Sequence, residues 1–398
     1  MHVDYDAFFA SVEQQANPFL RGKAIGITGS SLTRGVVCAA SREAKKFGIK
    51  TGMPLFKARE LCPHILPIKG DFTKYLYIHK KTLEIFEHYT NQIEPFSIDE
   101  AFLDITQTVK FFGTAEDVAN KIKQEILQNF GEFITCSIGI GPNKLLAKLV
   151  SEFNKPNGLF IVTPQNINFV LAKVKLTDFC GIGKRINTRL ENLKITTVLD
   201  LQKTPIEILK KEFGTAEATF LKNLSFGIGD EIVCTIDYTR PVKSISHQHT
   251  LAKNTKNTDI IKSNLKRLTE MVGKRLRAKN MVAKTIFVSL RDAQRNHCAQ
   301  QYTLTYHTDT TQALYETAEK LFNSFNWDKE TRFVGFGVSN LLAKTQTTLP
   351  LLQQDRTKQV ISTIQDKIND KWGEFSIITA KTLIADKTKG KISSFLKH

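Results

Sequence analysis

The chain has 398 residues, 41% of them apolar and 24% charged, and its 56 Lys and Arg against 39 Asp and Glu leave a net charge of +17. That length accommodates roughly two to four domains with sizeable cores, and the basic excess suits a polyanion, nucleic acid or an anionic membrane surface. No apolar run approaches the roughly 18 residues of a membrane span, and Asp4 and Asp6 stand where a signal peptide would be apolar. Cys38, Cys62, Cys136, Cys180, Cys234 and Cys298 are scattered singly. Their spacing speaks against a zinc site or a disulfide framework and points to a reducing cytoplasm.

In chain order, a strand over residues 2–5 runs into a helix from Phe8 to about Gln15, stopped at Asn17-Pro18. Residues 23–40 read as strand material, and 41–48 as a short helix closed by Gly48. The pattern then predicts a helix over 75–92, a strand bearing Asp99 and Glu100, a helix near 115–130, a strand from Phe133 to Ile140 and a further helix after Asn143. Strands alternating with helices indicate a mixed α/β unit over about residues 1–165. Residues 166–232 read as helical, with Gly181-Ile182-Gly183-Lys184 opening one helix. Such a turn points backbone N–H groups outward and suits one DNA phosphate.

After an extended stretch at 233–242, the pattern is strand 243–250, helix 259–279, strands 284–291 and 301–307, helix 310–325 and strand 332–340. This β-α-β-β-α-β order predicts a four-stranded sheet with two helices on one face. Residues 241–345 hold 17 Lys and Arg against 8 Asp and Glu. The cations at 262, 266, 267, 274, 275, 277 and 279 crowd one helix. A solvated face normally mixes signs, so Lys274, Arg275 and Arg277 read as phosphate contacts. A tail with one helix, about 355–372, and a Lys-rich end closes the chain.

The chemistry resides in three acids on two strand-like segments, Asp4 in HVDYDAFF and Asp99-Glu100 in PFSIDEAFLDI. Burying unpaired carboxylates costs several kcal/mol unless a cation accompanies them. Oxygen ligands, with no His or Cys counted among them, favour a hard ion, Mg²⁺ or Mn²⁺, which also brings substrate phosphates. Asp6 is expected to face away from Asp4 and reads as structural.

HVDYDAFFASVEQQANP, REAKKFGIKTGMPLFKARELCP, EPFSIDEAFLDIT, SIGIGPNKLLAKLVSEFNKPNG and CGIGK occur together and in this order. With these blocks the chain resembles the Y-family translesion DNA polymerases, most of all the bacterial DinB (polymerase IV) type, along essentially its whole length. The resemblance implies an α+β multidomain right hand. The palm would be residues 1–9 and 70–165, small fingers 10–69, a helix-hairpin-helix thumb 166–232, a linker 233–242, a β-α-β-β-α-β little finger 243–345 and a tail 346–398.

It further implies that Asp4, Asp99 and Glu100, with the carbonyl of Tyr5, hold two Mg²⁺ ions, Mn²⁺ being a substitute. Phe8 and Phe9 would meet the dNTP, Phe9 as a steric gate against a 2′-hydroxyl. Lys45 and Lys155, with Arg42, would face the triphosphate. Many members have Tyr, then Arg three residues later, on the fingers helix, where this chain has Arg42 and Lys45; Ala39 and Ser41 replace a usual Thr and Asn. Gly181, Gly183 and Lys184 would contact DNA, with Cys180 in place of a usual Pro. Gln346, Leu349, Leu351 and Leu352 resemble a peptide that docks on the sliding clamp, Leu352 replacing a usual Phe. The implied protein is a monomeric, cytoplasmic, low-fidelity DNA-directed DNA polymerase acting on primer–template DNA and dNTPs in translesion synthesis and repair. A non-catalytic DNA-binding scaffold is the alternative, favoured only by Ala39 and Arg42. A palm-fold cyclase would share the acids but would not need the thumb turn or the basic little finger.

Overall fold

The structure, a computed structural model, describes residues 1–29, 32, 35–230, 232–235, 241–346 and 353–386, the side chains of 353–355 excepted. Two compact units part between Thr239 and Arg240.

The first unit opens with β1 (His2–Tyr5) and α1 (Phe8–Ala16). A small sheet follows, made of β2 (Ile25–Thr28), β3 (Val37–Ala40) and β4 (Leu66–Lys69) in the order β3-β2-β4. Helices α2 (Arg42–Lys46) and α3 (Leu55–Leu61) lie between its last two strands in sequence. Helix α4 (Phe72–Glu87) leads to β5 (Ile93–Pro95) and β6 (Glu100–Leu103), and α5 (Ala115–Phe130) leads to β7 (Cys136–Ile140). With α6 (Lys144–Val150) and β8 (Leu159–Ile161), these complete a five-stranded sheet of order β5-β6-β1-β7-β8.

Strand β1 lies at the centre of that sheet. Its alternation sends Val3 and Tyr5 into the core shared with α4 and α5, beside Tyr75, Ile78 and Ile122. His2 and Asp4 therefore belong to the opposite face, where α6 packs. Gly139 on β7 makes this approach possible. A Cβ there would lie 2.0 Å from the carbonyl oxygen of Ala147 and 2.6 Å from the Ser151 nitrogen. The backbone of α6 is thus brought close enough for its side chains to reach the acids.

Helices α7 (Ile167–Lys173), α8 (Lys184–Asn192), α9 (Val198–Lys203), α10 (Ile206–Phe213) and α11 (Thr215–Ser225) share a separate apolar core with α6. In the second unit, β9 (Ser244–Thr255), β10 (Met281–Arg291), β11 (His297–Thr308) and β12 (Thr331–Ala343) form an antiparallel sheet of order β11-β10-β12-β9. Helices α12 (Thr258–Ala278) and α13 (Thr311–Asn323) pack against it as the pattern predicts, and α14 (Gln353–Trp372) packs on α12.

Element edges moved where capping decided them. The helix expected over 75–92 begins at Phe72, because the Asp71 carboxylate accepts from Thr73 N at 3.0 Å. It ends at Glu87, and Thr90 then gives its hydroxyl to the Asp104 carbonyl at 2.6 Å. Strands β4, β5 and β8 and helix α3 are short elements that the apolar pattern did not single out.

Candidate active site

The antiparallel register sets Asp4 directly opposite Glu100. Each carboxylate meets an ammonium from the α6 side. Lys155 Nζ stands 2.6 Å from Asp4 Oδ1, and Lys148 Nζ donates to Glu100 Oε2. Burial raises the Asp4 carboxyl to about 7 against the pull of Lys155. Glu100 is also partly buried, but bonds from His2 and Lys148 outweigh that and hold it at about 2. Lys155 loses some charge stability to burial and regains more from Asp4 and Glu152, so its pKa is raised. For the Asp4–Lys155 pair the ionised form is the one the geometry supports, since the ammonium bonds the carboxylate directly.

Asp99 is tied to the end of β1 by its main chain, the Tyr5 N–H donating to its carbonyl at 2.9 Å, and its carboxylate is not among the ligand atoms that cluster with Asp4 and Glu100. Its carboxylate takes the Ser97 hydroxyl. Tyr5 buries its ring and bonds Thr82 at 2.6 Å, which leaves only its main chain for the site.

A histidine that the oxygen-only reading did not count stands beside the acids. His2, Asp4 and Glu100 each offer one ligand atom within 4.8 Å of the others. His2 Nε2 lies 2.9 Å from Glu100 Oε2 and Nδ1 lies 2.9 Å from Ser151 Oγ. Burial lowers its pKa to about 4, so the ring is neutral at ordinary pH. The donor set, two half-buried carboxylates now balanced by lysines, fits a divalent cation. The signals for His2 and Lys148 were present but weak: His2 shares the strand phase of Asp4, and Lys148 stands seven residues before Lys155.

Asp6 has a different role. It is 4% exposed and accepts from Thr135 Oγ1 at 2.7 Å, Ser137 Oγ at 2.8 Å and Asn157 N at 2.7 Å. Lys123 Nζ donates to the carbonyls of Asn157 at 2.8 Å and Gly158 at 2.7 Å. Together they hold the loop that delivers Lys155.

Phe9 is half-buried and stacks on Tyr75 with centroids 4.4 Å apart. The Tyr75 hydroxyl donates to Glu13 at 2.8 Å, which braces the stack from behind. Phe8, by contrast, is a core residue packed on Tyr5 and Tyr75. Its ring is therefore withdrawn from any nucleotide, and only its main chain in the first turn of α1 remains available. Lys45 is exposed on α2. Arg42 is turned back to donate to Thr135 Oγ1, with Asp6 at 3.9 Å, and among the described residues its buried Nε meets no hydrogen-bond partner. As placed, Arg42 braces the loop network rather than reaching outward. Ser41 is buried and caps α2.

In the helical region, Gly181 adopts φ +107° and packs on Phe220, while a Cβ on Gly183 would meet open space before α8. Lys184 is exposed beside it.

The basic helix of the second unit requires a correction. Lys274 pairs with Asp370 at 2.7 Å, Arg275 donates to the Ser246 carbonyl at 2.9 Å, and Arg277 pairs with Asp366 at 2.5 Å and reaches the Asp309 carbonyl at 2.6 Å. Lys266 and Arg267 are buried. Of the charge run on α12, Lys274 and Arg277 are thus committed to acids of α14, Arg275 to β9 and Lys262 to Glu319 of α13, while Lys279 stays exposed. Of the clamp-like peptide, Gln346 ends a 3₁₀ turn after β12, and Leu349, Leu351 and Leu352 lie outside the described residues.

Comparisons with known proteins agree with this geometry. Residues 3–152 match the impB/mucB/samB family, residues 242–351 the C-terminal domain of that family, and residues 177–228 a thumb domain described for DNA polymerase-iota. The chain is 34% identical to a DNA polymerase IV of Moorella thermoacetica, over 96% of this chain and 95% of that one. It is 32% identical to a DNA polymerase IV of Pelotomaculum thermopropionicum, over 96% and 94%. Among solved structures, it resembles a Y-family chimera, Dbh-Dpo4(243-245)-Dbh, with TM-score 0.74 and 28% identity over 86% of this chain and 98% of that one. An insertion ternary complex of Dbh DNA polymerase matches with TM-score 0.55 at the same identity and coverage. Two facing acids on the central strand pair, a helical thumb-like region and matches along nearly the full length lead to one conclusion: the chain belongs to the Y family of DNA polymerases, of the DNA polymerase IV type.

Proposed function

We propose that this chain extends a primer 3′-hydroxyl with dNTPs on a template strand, at low fidelity, using the Asp4–Glu100 face of the palm sheet. It is a DNA-directed DNA polymerase of the translesion type, and DNA and nucleotide are its partners. The observation that supports this placement is the register of Asp4 against Glu100, with Lys155 and Lys148 aimed at them.

Asp4, Asp99 and Glu100, with the Tyr5 carbonyl, are the residues that would hold Mg²⁺, or Mn²⁺ in its place. Two such ions, when bound, lower the pKa of the 3′-hydroxyl and neutralise the triphosphate. The protein's own part is positioning and charge. Lys155 swings its ammonium between Asp4 and a phosphate oxygen, on a loop fixed by Asp6 and Lys123. Lys45 adds a second cation from the fingers side. Phe9, braced by Tyr75, closes the space a 2′-hydroxyl would need. The Gly181–Lys184 turn takes a backbone phosphate. Gln346 and Leu349–Leu352 dock on a sliding clamp, and deleting 346–352 should lower extension only when clamp is present. The protein acts as a monomer in the cytoplasm. Among the described residues, no helix is long and apolar enough to cross a membrane.

The test is primer extension on undamaged and abasic templates with Mg²⁺ or Mn²⁺. Extension past the lesion is expected. Failure with both ions, with DNA binding intact, would return the chain to a non-catalytic scaffold.

A further inference from the structure

His2 is fully buried, yet both its ring nitrogens are engaged, and both lead to α6 or to the acids. A core position against Phe102, whose ring centroid is 4.6 Å away, would be filled as well by an apolar ring. Burying an imidazole instead is costly unless its polar atoms are satisfied. Here they are satisfied by the end of α6 on one side and by Glu100 on the other. An ionised carboxylate only accepts, so Nε2 carries a proton and donates to Glu100 Oε2 whatever the state of Nδ1.

Ser151 controls the other nitrogen. It is the C-cap of α6, and its Oγ lies 2.9 Å from His2 Nδ1 and 2.8 Å from the Lys148 carbonyl. When Ser151 turns its hydroxyl to Nδ1, the neutral ring is fixed with its proton on Nε2. Lys148, three residues earlier on the same helix, donates to the same Glu100 oxygen. Oε2 is therefore held twice, while Oε1 accepts no hydrogen bond among the described residues.

We propose that His2, oriented by Ser151, is the positioning residue of Glu100: it pins Oε2 so that the carboxylate presents Oε1 as a single, pre-aimed ligand oxygen to the divalent cation. Outer partners of this kind fix the direction of a ligand and keep it from rotating to a bidentate or a withdrawn pose. His2 is not itself a ligand in this arrangement, since Nε2 carries the proton given to Glu100 and the lone pair of Nδ1 faces Ser151. The inference rests on the polymerase reading of the site, so its test must separate the two.

Mn²⁺ binding to the full chain is measured by electron paramagnetic resonance without DNA or dNTP, alongside single-nucleotide incorporation. His2→Phe keeps the ring on Phe102 and removes the donor; His2→Gln keeps an N–H near the place of Nε2. His2→Phe should weaken Mn²⁺ binding and lower kcat on the order of 10- to 100-fold, with the KM for primer–template unchanged. His2→Gln should recover most of both. Ser151→Ala, which disturbs the fold least, should cost a few-fold in each and carries the test should His2→Phe fail to fold. Native Mn²⁺ affinity in His2→Phe, or in Ser151→Ala where that variant stands in, would overturn the proposal. So would equal losses in His2→Phe and His2→Gln that merely follow their loss of thermal stability. Glu100→Ala is the control: if it too binds Mn²⁺ and extends primers like the native chain, the reading of the site fails, and not only the role of His2.

Discussion

Replacing Asp6 by alanine should unfold the palm more readily without touching the reacting groups, whereas replacing Asp4 should do the reverse. Asp6 is buried and takes three hydrogen bonds at 2.7–2.8 Å, from Thr135, Ser137 and Asn157 N. Bonds to a charged acceptor contribute about 1.5–3 kcal/mol each, though not additively. The two hydroxyls can turn elsewhere, but the Asn157 N–H cannot, so a net loss of about 3 kcal/mol is expected for Asp6→Ala. For a unit of this size that corresponds to a Tm lower by roughly 6–12 °C. The loop carrying Lys155 loses its anchor, so the KM for dNTP should rise more than kcat falls. Among the described residues Asp4 instead has one partner, Lys155, and its burial raises its pKa. Asp4→Ala should change stability by less than about 1 kcal/mol, because Lys155 is partly exposed and keeps its pairing with Glu152, so no buried charge is left unpaired. It should abolish incorporation. Urea unfolding and steady-state incorporation of one nucleotide decide the matter. An Asp6→Ala chain as stable as the native one but inactive would place Asp6 among the metal ligands and refute the division of roles.

Phe9→Ala should raise rNTP incorporation strongly, and Tyr75→Ala should raise it less by loosening the stack; unchanged sugar selectivity in Phe9→Ala would remove the gate. Cys180 is exposed next to the Gly181 turn, whereas Cys62 and Cys136 are buried, with the Cys136 thiol pushed up to about 12 by burial. A thiol reagent should therefore label Cys180 ahead of those two, and primer–template should protect it. Labelling of Cys180 that is indifferent to DNA would move the phosphate contact elsewhere. In chelated protein, His2 has a folded pKa near 4 against 6.5 unfolded. The unfolded chain binds the proton first as pH falls, so the stability His2 contributes is complete above pH 6.5 and lost down to pH 4, about 3 kcal/mol in all. Asp4, whose pKa is raised, works in the opposite direction, so the comparison is with His2→Phe, whose stability relative to native should rise by about that amount from pH 7 to pH 4. A flat difference would contradict a neutral, buried His2.

Helical periodicity was legible: the apolar spacing of Leu265, Leu268, Val272 and Leu276 was enough to place α12 on its sheet. Asp6 stands two residues from Asp4, in the same strand phase, and what separates them is that β1 ends at Tyr5, so that Asp6 turns to Thr135, Ser137 and Asn157. What local pattern could not show was which distant group meets a charge. The cations of α12 read as a free basic face, but Asp366 and Asp370 lie some ninety residues further on and fold back onto them. Arg42 looked available to a triphosphate until Thr135 and Asp6 were seen beside it. His2 was visible in the sequence, yet its partner Ser151 comes from a helix 149 positions away. Phe8 and Phe9 are neighbours with opposite fates, because successive residues entering α1 face different sides.

The central claim is that Asp4, Asp99 and Glu100 make this chain a metal-dependent polymerase. It is tested most directly by extension of a short primer–template with four dNTPs and Mg²⁺, comparing the native chain with the double variant Asp99→Ala/Glu100→Ala. The account predicts extension by the native chain that EDTA stops, none by the variant, and equal DNA binding by both. Extension by the variant at the native rate would contradict it.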